Sequence, residues 1–215
     1  SGTMPELFEP PRYIAIEGPI RVGKSTLAQI LAERMGARRL LEPEVDLEEF
    51  YAGKPGAAFR TQMHYLGLRY KQMRGQHTRR PLDPMVADYI FEKDKIFAYV
   101  NLNDRELAVY NQYYELFRPE VGTPDLVIYL QATPEVLKER VAKKNLRAEQ
   151  QLSDEYLEEV VKAYDHFFFH YSQSDLLVIN TSEIDFVERS ADLQELLRRL
   201  AEPVRGTQFF LPLGE

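Results

Sequence analysis

Hydrophobic and polar positions along this chain fall into short apolar runs separated by longer stretches with helical spacing. Tyr13-Ile14-Ala15-Ile16 is an unbroken apolar run, the pattern of a strand covered on both faces, and predicts a strand over 12–17. Between Lys24 and Met35 the residues Leu27, Ile30 and Leu31 share one helical face. Residues 38–41 predict a second short strand that delivers Glu42-Pro43 at its end. A long helical pattern covers 56–76, and a polar, proline-broken stretch follows from 77 to 84. Met85-Val86-Ala87 predicts a third strand, with helices over 90–100 and 104–118. The stretch 125–130 is nearly all apolar and predicts a fourth strand. Thr133 before Pro134 reads as an N-cap followed by proline in the first turn, opening a helix to Lys144. Ser153 caps a further helix that ends near Tyr171, residues 176–179 predict the fifth strand, and 190–200 the last helix. Strands alternating with helices predict an α/β fold, a five-stranded parallel sheet flanked by helices, with ligands at the carboxyl ends of the strands.

Composition narrows the class. The chain has 215 residues, enough for one domain with a proper core, read here as 4–215. Ser1-Gly2-Thr3 before Met4 resembles the remnant of an expression tag. The net charge of −7 argues against nucleic acid or an anionic membrane as the main partner. With no cysteine, disulfides and thiolate metal sites are excluded. No apolar stretch approaches the ~18 residues of a membrane span, and no signal-peptide pattern opens the chain, so a cytoplasmic enzyme is expected.

The candidate chemistry begins at Gly18-Pro19-Ile20-Arg21-Val22-Gly23-Lys24-Ser25, which fits G-x-x-x-x-G-K-[ST] between a predicted strand and a predicted helix. Backbone N–H groups of such a loop, together with the helix N-terminus, cradle phosphate oxygens. Lys24 then reaches the β- and γ-phosphates, and the Ser25 hydroxyl ligates Mg²⁺. The expected donor is ATP, and the fold a P-loop kinase fold. No N/T-K-x-D run is present, which argues against a GTPase.

A small kinase also needs a base, a set of lid cations and an acceptor pocket. Glu42, at a predicted strand end beside the P-loop strand, is the candidate base, the rival being an ordinary acidic loop over 42–49. General-base help is worth ~10²–10⁴-fold with a neutral hydroxyl acceptor. Arg140, Lys144 and Arg147 fall at i, i+4 and i+7 and share a face if the helix continues, either as a phosphate-covering lid or as a solvated surface. Gln62 and Arg69 share a face of the long helix, with Tyr65 between them; Gln62 can pair with a base edge, or both can be surface residues. Phe59, Tyr65, Tyr89 and Phe97 are the aromatic residues available to stack on a base.

Beyond the P-loop, the chain resembles the deoxynucleoside kinases. The resemblance runs from Tyr13 to about Phe186 and includes Leu41-Glu42-Pro43, Ala58-Phe59-Arg60-Thr61-Gln62, Glu139-Arg140-Val141, Glu155-Tyr156-Leu157 and the run from Asn180 to Phe186. Phe91-Glu92-Lys93-Asp94-Lys95-Ile96-Phe97-Ala98 is most similar to the bacterial purine-leaning branch. The resemblance implies ATP-dependent phosphorylation of a deoxynucleoside 5′-hydroxyl, leaning to deoxyadenosine or deoxyguanosine. It implies Gly18, Gly23, Lys24, Ser25 and Thr26 on the phosphates, Arg140, Lys144 and Arg147 as cations of a lid over about 140–152, and Asp185-Phe186 around the adenine. Lys24, Glu42 and Arg140 would carry catalysis. Glu42 would take the 5′-hydroxyl proton, Gln62 and Arg69 would read the base, and Glu149 would lie near the sugar 3′-hydroxyl. Tyr51, Tyr65, Asp88 and Phe97 would complete the nucleoside pocket. Such kinases are generally homodimers, built through helices like those at 56–76 and 104–118.

There are three kinds of departure from that family pattern. Arg21 stands in the loop where relatives carry a small residue, often glycine. Asp88 stands about where many relatives have an arginine on the phosphates, so the missing cation must come from elsewhere. The segment after Glu42-Pro43 and the stretch 76–84 are shorter than usual. Two other readings remain at this point: thymidylate kinase or another nucleoside monophosphate kinase, and a nucleotide-binding regulatory module without catalysis.

Overall fold

The structure, a computed structural model, describes residues 9–74, 83–147, 149–186 and 188–210. Along the chain the elements are β1 (Tyr13–Glu17), α1 (Lys24–Met35), β2 (Arg38–Leu40), α2 (Glu48–Tyr51), α3 (Ala57–Met73), β3 (Met85–Ala87), α4 (Lys93–Asn101) and α5 (Asp104–Phe117). They continue as β4 (Leu126–Gln131), α6 (Pro134–Lys144), α7 (Asp154–Phe169), β5 (Asp175–Asn180), α8 (Ser190–Leu200) and β6 (Thr207–Phe210). The strands form one sheet in the order β2-β3-β1-β4-β5-β6, and every pair is parallel.

Successive strand residues point to opposite faces, and each face is roofed by helices. Tyr13 and Ala15 join Val127, Tyr129, Leu66, Tyr110 and Tyr164 in a core under α3, α5 and α7. Ile14 and Ile16 join Ile128, Leu130, Leu27, Leu31 and Leu196 in a second core under α1 and α8. With both faces covered, the inner strands need unbroken apolar runs, which is why β1 and β4 are so legible. The chain leaves β1 to build β2 and β3 on one side, then crosses to β4 on the other. That switch opens a crevice at the carboxyl end of β1.

The sheet has six strands, not the expected five. Strand β6 is an edge strand with exposed Thr207 and Phe209 and buried Phe210, so it lacks the continuous apolar run that marks an inner strand. Strand β3 lies between β1 and β2, so Glu42 does not follow a strand adjacent to the P-loop strand as expected. Helix α4 begins at Lys93 rather than Ile90. Thr133 and Ser153 cap α6 and α7 as their positions suggested, accepting from Val136 N at 3.3 Å and Tyr156 N at 3.0 Å. Helix α6 stops at Lys144 because Asn145 turns into the left-handed region, with φ 54°. Arg147 is thereby taken off the face of Arg140 and Lys144. Residues 1–3 and most of 76–84 lie outside the described residues. None of the described helices is long and apolar enough to cross a membrane.

Candidate active site

The loop after β1 is shaped by two glycines. A Cβ on Gly18 would come within 2.5 Å of the Leu130 carbonyl oxygen and 2.8 Å of Val22 Cγ1, so only glycine fits. Gly23 has φ 102° and leads into α1 without a side-chain cap. The first N–H groups of α1 thus lack a side-chain partner at the cap and can serve an anion. The loop is moored by Glu17, which is fully buried. Its carboxylate accepts from Gly18 N at 2.8 Å, the Tyr164 hydroxyl at 3.0 Å, Ile90 N at 3.1 Å and Lys24 Nζ at 3.4 Å.

Glu42 sits where three elements meet. Lys93 Nζ, at the start of α4, donates to its two oxygens at 2.8 and 2.9 Å. Arg69 Nη2, on α3, donates at 2.8 Å, and Lys24 Nζ lies 3.7 Å away. Burial raises the Glu42 carboxyl, but Lys93, Lys24 and Arg69 outweigh it and hold the group well below the carboxylate range. Burial works to lower Lys24, but Glu17 and Glu42 carry it above the ordinary lysine value. Lys93 comes down to about 8, burial prevailing over the pull of Glu42.

Behind Glu42, the Arg69 guanidinium also donates to Asp94 and lies 4.4 Å from the Tyr65 ring centre. Asp94 accepts from the Tyr110 hydroxyl, and its backbone carbonyl takes the Gln62 amide at 3.1 Å. Gln62 and Arg69 are both buried, which rules out the surface reading of their shared helical face. Arg69 Nε has no partner among the described residues, leaving one donor over.

These groups border a cleft of about 750 Å³, within the size range of small-molecule sites. Lys24, Ser25, Glu42, Tyr51, Gln62, Tyr65, Arg69, Asp88 and Phe97 all line it, so most of the expected site residues are brought together. Others lie apart from it. Arg140 is turned to the loop after β5, donating to the Thr181 carbonyl at 2.9 Å and the Thr181 hydroxyl at 3.3 Å. Lys144 and Arg147 are exposed. Phe186 is packed into the core under α8, and the Asp185 carboxylate accepts from Glu188 N. Glu149 is buried against Arg21.

Asp88 is paired through both oxygens with Arg39, at 2.8 and 3.0 Å, and Arg39 also reaches the Ser25 carbonyl at 3.2 Å. Position 88 thus carries a carboxylate neutralised by Arg39, and Lys93, five residues later, lines the same cleft and is paired with Glu42. Sequence reasoning passed over Lys93, Glu17, Arg39, Asp94 and Tyr164. Glu17 had a visible signal, a charged residue at the end of a buried strand just before the P-loop glycine. The other four are brought in by folding.

A family model described as deoxynucleoside kinase matches residues 14–205. The deoxyguanosine kinase of Bacillus subtilis (strain 168) is 29% identical over 199 residues, covering 88% of this chain and 96% of that protein. The deoxyadenosine kinase of Dictyostelium discoideum is 30% identical over 190 residues, covering 84% of this chain and 77% of that protein. The fold matches the solved structure of a deoxyadenosine kinase from M. mycoides with bound dATP, with a TM-score of 0.74 at 23% identity, over 88% of this chain and 99% of that one.

Proposed function

The chain belongs to the deoxynucleoside kinase family, and we propose that it transfers the γ-phosphoryl group of ATP to the 5′-hydroxyl of a purine deoxynucleoside in the cytoplasm. The observation that carries this reading is Glu42, held in one cleft between the P-loop lysine and Arg69 on the α3 wall. The cleft is lined by Lys24 and Ser25 of the glycine loop and α1 and by the aromatic residues Tyr65 and Phe97. Glu42 lines it beside Lys24, where a 5′-hydroxyl would meet the transferred phosphorus.

In the transfer, Glu42 takes the 5′-hydroxyl proton as the new O5′–P bond forms. The bond from the γ-phosphorus to its bridging oxygen breaks, and ADP leaves with that electron pair. A carboxylate crowded by three cations is a poor base at rest. Lys24 and Lys93 neutralise phosphate oxygens once these are present, which relieves Glu42 and raises its proton affinity. The Ser25 hydroxyl, at the first turn of α1 and on the cleft wall, would hold Mg²⁺ with the phosphates. The ion would supply charge neutralisation. Gln62 and Arg69 would read the base, and the segment 140–152 would close as a lid. The purine preference follows the acceptors named for the Bacillus subtilis and Dictyostelium discoideum relatives. A homodimer is supported by Val109, Tyr113 and Leu116, exposed at i, i+4 and i+7 on α5.

Release of ADP, followed with each deoxynucleoside and each monophosphate in turn, tests the reading. Activity should appear with deoxyadenosine or deoxyguanosine and be absent with monophosphates. Activity on thymidylate alone would make it a nucleotide kinase, and activity on none a regulatory module.

A further inference from the structure

Arg21 is the least expected residue of the phosphate-binding loop, and the structure gives it a definite engagement. It has φ 60°, in the left-handed region that a side-chain-bearing residue occupies only at a cost. Glycine would occupy that conformation freely. The side chain does not run out into solvent. It lines the cleft beside Lys24 and Ser25 and grips Glu149 with two parallel contacts, Nε to Oε1 at 2.8 Å and Nη2 to Oε2. The loop carbonyl of Arg21 is itself reached by Arg140 Nη1 at 3.5 Å, so Arg140 braces the loop at this residue.

A forked guanidinium fits a carboxylate and a phosphate with the same geometry. Glu149, the buried carboxylate of the lid segment, therefore occupies Arg21 as a phosphate would. Of the three cations that spacing assigned to the lid, Lys144 and Arg147 are exposed, Arg140 is turned to Thr181, and none is among the residues lining the cleft. Arg21 is already on the cleft wall. We propose that Arg21 is a phosphate-contacting residue whose guanidinium exchanges Glu149 for the γ-phosphoryl oxygens, releasing Glu149 toward the nucleoside sugar.

The inference rests on the phosphoryl-transfer reading above. Arg21 neither gives nor takes a proton; it offsets the charge on the oxygens of the phosphoryl group while the O5′–P bond forms and ADP departs. Tyr51 is a residue of the cleft wall that feels the Glu149 charge. Burial first, and then the charge of Glu149, already raise the Tyr51 phenol. Donor binding thereby prepares the acceptor end, and the two substrates bind with positive coupling.

Two variants separate a phosphate contact from a mere clasp. Arg21→Gly removes the guanidinium and relieves the left-handed backbone, so folding is not threatened. Glu149→Gln opens the clasp and keeps Arg21. Loss of a charge-assisted contact should lower kcat/KM for ATP by about 10- to 100-fold in Arg21→Gly, with Arg21→Lys in between. Glu149→Gln should instead raise KM for the nucleoside while kcat/KM for ATP stays within about 3-fold. Equal effects of the two variants on ATP, or an unchanged ATP dependence in Arg21→Gly, would overturn the proposal. Calorimetric titration with a non-hydrolysable ATP analogue gives a readout independent of the acceptor, in which Arg21→Gly should bind about 10-fold more weakly. If the wild-type protein phosphorylated no deoxynucleoside, the functional reading would fail; this titration would still decide whether Arg21 contacts phosphate.

Discussion

Three cations converge on Glu42, and their crowding sets what this residue does for activity and for stability. As a general base it should be costly to lose: Glu42→Gln is expected to lower turnover by at least ~10² while sparing ATP affinity. Single-turnover phosphorylation of deoxyadenosine or deoxyguanosine checks this, and near-normal rates would remove Glu42 from the proton transfer. The same cations hold its folded-state carboxyl below the ordinary range. An unfolded glutamate titrates near ~4.3. The unfolded chain therefore binds the proton first as pH falls, and the stability Glu42 contributes is full above that value and is lost progressively below it. Urea unfolding should show Glu42→Gln less stable than wild type at neutral pH, with the gap narrowing toward pH 3. A gap that did not narrow would mean the carboxylate is not held by its cations. Legibility at this scale was uneven. Lys24 and Glu42 stand out in their motifs, whereas Lys93 sits in a helical run where nothing local distinguishes it from a solvated lysine. Its partner is 51 residues away.

At the scale of elements, the β1–loop–α1 unit could be read almost residue by residue, because its apolar run, its glycines and its helix start are all local features. Gly18 shows how tight that unit is. A methyl group there would collide with the Leu130 backbone on β4, which cannot yield as a flexible side chain could. Gly18→Ala should destabilise the fold by about 1–3 kcal/mol, as overpacking does, and weaken triphosphate binding with it. Chemical denaturation together with a nucleotide titration would test both, and an unchanged midpoint would show that the strands can part. Helix caps at Thr133 and Ser153 were equally legible, since an N-cap acts over three residues. The end of α6 at Lys144 was expected too, but the break in its cationic face beyond that point was not. Lys144-Asn145-Leu146-Arg147 carries no glycine or proline, and only the left-handed turn at Asn145 separates Arg147 from the helical face that its spacing suggested.

For the whole molecule, the exposed stripe of Val109, Tyr113 and Leu116 on α5 is an apolar face that the described residues leave without cover. If the stripe pairs two copies, Leu116→Glu should weaken the dimer by at least ~10-fold in dissociation constant, since burying one leucine is worth about 1.5–3 kcal/mol. Sedimentation over a concentration series would show it, and a monomeric wild-type protein would rule the interface out. The sequence by itself determined the α/β class, the phosphate loop and the inner strands, because each depends on residues a few positions apart: a buried parallel strand must be apolar throughout, and a phosphate loop must have its glycines in place. The tertiary structure alone decided that β3 separates β1 from β2, that β6 extends the sheet, that Lys93 and Arg69 flank Glu42, and that Arg21 faces Glu149 across 128 residues of chain. These are meetings of charged side chains from different elements, and a charge carries no periodic mark of its partner. Packing the two cores against the sheet is what brings the charges within reach, and at the phosphate loop it sets Arg21 against a carboxylate with the fork geometry that a phosphate would use.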